Sequence, residues 1–268
     1  ESAKNFEANL IEEKIIRIDK NGDSWELETE SGDTRIYDRV HLCFGELNQN
    51  DCYNLGQTPN YINNIYPVSE KLEDIKDGNI LVIGAGLSGV DVSTYLLNEN
   101  KGDFITMFSR TCVIPTVRVD PVDAKVNVFT MEKLEEHLSN NYNRMTFDEF
   151  DKLFLEELES HGINFEEFTK FHMCGGIEGL RRNIENPDDL AIVQAILPPM
   201  NDQFNRVWDS LPDKCRIAFK EKYHPLLTLN RSPLPLESAE ILIQAEEDKR
   251  FNMVKGVKDI KYVNGKYQ

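Results

Sequence analysis

Gly84, Gly86 and Gly89 form the chain's clearest pattern with a definite chemistry. They stand in "NILVIGAGLSGVDVSTYLL" as G-x-G-x-x-G, after a strand-like apolar run and before a helical pattern. In such a turn the first glycine permits the tight bend. The second lets backbone approach a pyrophosphate, and the third lets helix pack on strand. The start of the helix, with unpaired N–H groups and the positive end of the helix dipole, then faces the phosphates. Gly84, Gly86, Leu87, Ser88 and Gly89 are therefore candidate contacts for a dinucleotide. The alternative is a turn whose glycines are structural only; the strand before it and the helix after it supply the context that favours binding.

The next strand bears on which dinucleotide is held. An NAD site of this type places Asp or Glu about 20 residues on, at the ribose 2′-hydroxyl, whereas an NADP site uses a basic side chain for the 2′-phosphate. Here the strand ends "MFSRT", with Ser109 and Arg110 and no carboxylate. NADP(H) is the favoured cofactor, with Ser109 and Arg110 added to the candidate contacts. The bland reading of Arg110 is an exposed strand-end arginine. FAD is the less favoured occupant, because it too usually wants an acid there.

Other reactive residue types form no comparable constellation. The five histidines show no H-x-H or H-E-x-x-H spacing and the five cysteines no C-x-x-C, so no metal site is expected. Trp208 lies at helical spacing from Phe204 and Leu211 and reads as core. Tyr223, His224 and Arg231 share its neighbourhood; His224, before Pro225, reads as the start of a turn, and Arg231 could support a phosphate. "FHMCGGIEGLRR" has three glycines but no preceding strand and no Lys-Ser/Thr end, so it reads as a loop entering a helix rather than a P-loop, with Cys174 an idle thiol. Asp91 is expected to cap or pair locally. No catalytic acid, base or nucleophile is assigned.

These residues need elements to hold them. Strand Asn79–Ile83, the glycine turn, helix Ser88–Asn98, a Lys101-Gly102-Asp103 turn and strand Phe104–Phe108 read as the start of a βαβ unit. Before it, the runs Ile11–Ile18, Trp25–Thr29 and Arg35–Tyr37, joined by Asn21-Gly22 and Ser31-Gly32-Asp33, read as a β-meander. "RVHLCFG" reads as a buried strand, and the turn-rich stretch from Asn50 to Asp77 as a connection, with a boundary near Glu70. Beyond Pro115, helical spacings run for about a hundred residues. "LESAEILIQAEEDKR" then reads as a short helix, and "FNMVKGVKDIKYVNGKYQ" as strand followed by an Asn264-Gly265 hairpin.

Composition narrows the partners. A formal net charge of −17 over 268 residues disfavours a nucleic-acid or anionic-membrane surface, since both select clustered Lys and Arg. No apolar run approaches the roughly 20 residues of a membrane span, and no signal segment opens the chain. The expected setting is cytoplasmic with reduced thiols, and the expected partner a small-molecule substrate. Composition does not settle the oligomeric state.

The pair "NILVIGAGLSGVDVSTYLL" and "FITMFSRTCVIPTVR" resembles the bacterial FAD/NAD(P)-binding proteins related to flavin-dependent monooxygenases, flavoproteins with two dinucleotide folds. "RVHLCFGEL" resembles the strand that closes their FAD domain, with Cys43-Phe44-Gly45-Glu46 keeping only the glycine of the usual Ala-Thr-Gly-His. "FNRVWDSLPDKCRIAFKEKYHPLLTLNRSPLP" resembles their Trp-containing helix and Arg-His-Arg-x-Pro region. The resemblance implies an α/β, Rossmann-like three-layer dinucleotide-binding domain with an N-terminal β-meander and a large helical insertion. It implies FAD-domain meander and linker over 1–70, the NADP domain over 71–118 and 223–268, and the insertion over 119–222. It further implies the NADP(H)-binding portion of a flavin-dependent oxidoreductase, in which NADPH passes hydride to FAD held by the full-length protein. The N-terminal FAD fingerprint is absent, so the chain is expected to be a piece of such a protein and inactive alone. A non-catalytic dinucleotide-binding or redox-sensing module is the alternative.

Overall fold

The computed structural model describes residues 9–43, 51 and 53–268. The chain divides into two compact units, residues 1–50 and 51–268. In the first, β1 (Ile15–Asn21), β2 (Ser24–Thr29) and β3 (Thr34–Tyr37) form an antiparallel meander in that order. Gly22 and Gly32 take positive φ at its two turns, as the Asn-Gly and Ser-Gly-Asp signals require. Ile18 faces Leu27 in register, one of the meander's few half-buried apolar pairs. Residues 39–43 are irregular and largely exposed rather than a buried strand, having no ladder partner among the described residues. Phe44, Gly45 and Glu46 lie outside the described residues.

The second unit is built on a parallel sheet of β4 (Asn79–Ile83), β5 (Phe104–Ser109) and β6 (Phe251–Lys255), in that order. Register aligns Ile80, Ile105 and Phe251 in one row and Val82, Met107 and Met253 in the next. Alternation puts both rows on one face. There α2 (Leu87–Asn98) and α10 (Leu236–Glu247) cover them with Val90, Leu96, Ala239 and Leu242. A parallel sheet flanked by helices, entered through β4-turn-α2-β5, is a Rossmann-like α/β arrangement. The short α1 (Val68–Lys71) and residues 62–75 add Ile62, Ile65 and Leu72 to the same core.

Between β5 and α10 run α3 (Met131–Asn140), α4 (Phe147–Glu159), α5 (Phe165–His172), α6 (Ile177–Glu185), α7 (Asp188–Ile196), α8 (Asn201–Ser210) and α9 (Asp213–Arg231). Their starts carry the expected chemistry: Thr130 and Asn164 accept from first-turn N–H groups, and Thr146 with Glu149 closes a capping box. The buried side chains of these helices make a second core around Phe129, whose ring meets those of Phe150, Phe154 and Phe204 at 5.5–6.2 Å. α6 is the exception. Its Ile177 and Leu180 join the sheet's core, and Arg181 reaches Glu246 and Glu247 of α10 at 3.0 and 2.6 Å.

His224 and Pro225 lie inside α9, not at a turn. Buried Tyr223, Leu226 and Leu227 on the same helix enter the aromatic core and carry the helix through the missing proline N–H. The way into the helices and the way out are stitched together. Val117 bridges Leu234 in parallel, Leu234 N donates to Thr116 O at 2.9 Å, and Arg118 N donates to Leu234 O at 2.8 Å. The last residues form a hairpin of β7 (Tyr262–Val263) and β8 (Lys266–Tyr267), turning at Asn264 and Gly265.

Candidate functional site

The carboxyl ends of three adjacent parallel strands meet here, which is where open α/β sheets bind ligands. β4 ends in the glycine turn. Gly84 has φ +112° and donates its N–H to Phe108 O at 2.7 Å, tying the turn to the end of β5. Only glycine takes that φ without strain. Gly89 is constrained differently: a Cβ there would overlap the carbonyl oxygen of Gly84, with Met107 of β5 just behind. Gly86 has an ordinary φ of −80°, and a Cβ on it would meet nothing within 4 Å. The first glycine is thus required by its backbone conformation and the third by the protein's own packing, whereas the second faces open space.

Gly86 is also the N-cap of α2, with no side-chain cap and no acid in the first turn. The first N–H groups of a helix have no intrahelical acceptor, so this end offers donors and a positive dipole to an anion. Leu87 is 38% exposed at the first helical position. Ser88 Oγ lies 3.1 Å from the Tyr66 hydroxyl, which donates to Asp91 Oδ2 at 2.8 Å. Asp91 is thereby engaged locally and turned to Tyr66, leaving the helix start without a competing carboxylate.

At the end of β5, Ser109 Oγ accepts from Cys112 N at 2.8 Å and shapes its own loop. Arg110 is exposed and makes no ion pair with a described residue. Beside it in register, Ser109 pairs Lys255 at the end of β6, and Gly256 N donates to Ser109 O at 2.8 Å. Lys255 is exposed as well, so two cations stand on adjacent strand ends. Lys255 and Tyr66 escape a reading of the motif alone. The first is separated from its neighbour by all the helices, and the second sits in a connection with no pattern.

Of the other singled-out side chains, Trp208 and Tyr223 belong to the helical core, whereas His224 and Arg231 are exposed. Trp208 is partly buried against it, with the ring of Phe219 at 5.9 Å and the cations of Arg216 and Lys220 each 5.2 Å from its centroid. Tyr223 is fully buried and donates to Asp151 Oδ1 at 2.6 Å; burial and that carboxylate push its phenol well above the usual range. The Arg231 guanidinium lies 5.1 Å over Phe204, and burial lowers its pKa. Among the described residues no three His, Cys, Asp or Glu side chains gather as a metal would need, and no helix is long and apolar enough to cross a membrane.

No protein-family model and no curated protein matches the chain. Among solved structures it is similar to a cyclohexanone monooxygenase from Rhodococcus sp. Phi1 bound to NADP+, at 14% identity and a TM-score of 0.30, over 95% of this chain and 49% of that one. A cyclohexanone monooxygenase in the Loose conformation, bound to epsilon-caprolactone, gives 14% identity and a TM-score of 0.29, over 91% and 46%. The chain spans about half the length of these structures. A likeness of this size says nothing of chemistry.

Proposed function

We propose that the chain binds NADP(H) across the carboxyl ends of β4, β5 and β6, as the nucleotide-binding part of a flavin-dependent oxidoreductase. One observation carries the nucleotide half of this reading. Of the three glycines, Gly86 alone has neither a backbone need nor a close neighbour to account for it. A pyrophosphate seated on the uncapped start of α2 would account for it, because its oxygens would occupy the space a Cβ takes. Gly84, Leu87, Ser88 and Gly89 would complete the turn. Arg110 and Lys255 would face the 2′-phosphate, and Ser109 would hold the loop that carries Arg110.

NADPH supplies a hydride when bound. In the flavoprotein reading FAD receives it, and the one glycine turn of this kind in the chain fits a single dinucleotide, so FAD belongs to the full-length protein. The chain's own residues bind and orient the nucleotide; none of the described residues is assigned to move a proton.

Calorimetric titration with NADPH and NADH tests the assignment. NADPH should bind several-fold tighter than NADH, and Arg110→Ala should abolish the preference. Gly86→Ala should weaken both nucleotides at least about tenfold, the loss expected when a new Cβ meets a bound phosphate, while leaving the thermal midpoint unchanged. A Gly86→Ala protein that binds NADPH as the parent does would overturn the reading.

A further inference from the structure

The stretch Cys174-Gly175-Gly176-x-x-Gly179 is unused by the nucleotide reading, and its geometry has a purpose of its own. α6 begins at Ile177 with Gly176 as N-cap, and Gly176 N donates to Cys112 O at 2.6 Å. A Cβ at Gly175 would come within 3.0 Å of that same oxygen. A Cβ at Gly179 would overlap Cys174 O and lie 3.6 Å from Cys174 Sγ. Gly175 and Gly179 therefore each remove an obstacle and Gly176 supplies a positive φ of +74°, so the backbone of 175–176 comes into direct contact with the loop after β5, with Cys174 next to it in the chain.

That loop carries Cys112, at φ +62°, anchored by its N–H to Ser109 Oγ at 2.8 Å. Both thiols are free and half-buried. Cys174 sits just ahead of the positive end of α6. Arg182 on the same helix pairs with Glu178 at 2.9 Å, and its charged form is favoured first by that carboxylate and then by Cys174. Half-exposed thiols in positive surroundings are the ones that oxidants reach. The ion pairs from Arg181 to Glu246 and Glu247 fix α6 on the sheet's own helix α10, so the two segments keep their contact.

We propose that Cys174 and Cys112 are a peroxide-sensitive thiol pair. The Cys174 sulfur attacks hydrogen peroxide, the O–O bond breaks, and the sulfur becomes a sulfenic acid as one water leaves. The Cys112 thiol then attacks that sulfur, a second water leaves, and a disulfide closes. Over both steps two thiols lose two electrons and two protons to one peroxide, giving one disulfide and two waters. The backbones touch at Cys112 and Gly176, two residues from Cys174, so closure asks for the 174–176 loop to bring Cys174 up to Cys112.

The test needs no nucleotide and so stands or falls apart from the NADP(H) assignment. The full chain is exposed to stoichiometric peroxide, free thiols are alkylated, and the digest is read by mass spectrometry. The expected product is an intrachain Cys112–Cys174 peptide that dithiothreitol releases. With Cys112→Ser, dimedone should label Cys174, and with Cys174→Ser neither label nor cross-link should form at Cys112. Thermal unfolding of both variants checks that they are folded. Recovery of both cysteines fully alkylated after peroxide in the parent chain, a cross-link to another cysteine, or dimedone on Cys112 instead of Cys174 overturns the proposal.

Discussion

Glu157 shows how one residue can organise a core. Its side chain is fully buried and accepts the backbone N–H groups of Asn127, Val128 and Phe129 at 2.5–3.1 Å, with His161 Nε2 at 2.9 Å. Burial alone would raise its pKa, but these donors outweigh burial and the pKa is lowered. A carboxyl depressed on folding contributes stability above its ordinary range, and that contribution is lost as pH falls through the folded value. Glu157→Gln should cost about 2–4 kcal/mol at neutral pH, because the buried donors lose their charged acceptor. Its unfolding midpoint should also fall less steeply on acidification than the parent's; parallel acid slopes would show that Glu157 is not the titrating group. Nothing in the local sequence marks Glu157 as different from its acidic neighbours in α4, since its donors arrive from about thirty residues upstream. The glycine turn is the opposite case. Its partners lie within one strand-turn-helix, so Gly84, Gly86 and Gly89 are legible directly, while Lys255 becomes their neighbour only once β6 is laid beside β5.

Among the elements, those whose periodicity and end signals agree are legible to within a residue or so. β4 spans Asn79–Ile83, and α2 starts at Leu87 and stops at Asn98. Where tertiary contacts outvote a local signal, the reading fails. "RVHLCFG" has a strand's composition but no ladder for its described residues, and Pro225 has a turn's chemistry but lies on the exposed side of a helix that buries Tyr223, Leu226 and Leu227. That second conflict has a measurable residue. Pro225 donates no N–H to the carbonyl one turn earlier, so Pro225→Ala should stabilise the chain by about 1–2 kcal/mol, the helix gain less the added freedom of the unfolded chain. The urea midpoint reads this directly; a lower midpoint would mean that the proline ring is what seats α9 in the aromatic core.

For the whole molecule, the two hydrophobic cores recorded among the described residues both lie within 51–268, one on the sheet and one among the helices. A protein comprising only residues 51–268 should therefore unfold at nearly the thermal midpoint of the full chain, and a drop of more than about 3 °C, roughly 1 kcal/mol for a domain of this size, would show that its stability draws on residues 1–50. The seam at Val117 and Leu234 bears on lineage. The helical excursion leaves and rejoins at one hydrogen-bonded point and, apart from α6, packs on its own core, so closing a longer loop there costs only logarithmically more. Descendants of such a chain could gain or shed helices other than α6 between these two residues while the nucleotide turn kept its geometry, making the seam the natural joint at which evolution changes the protein's length.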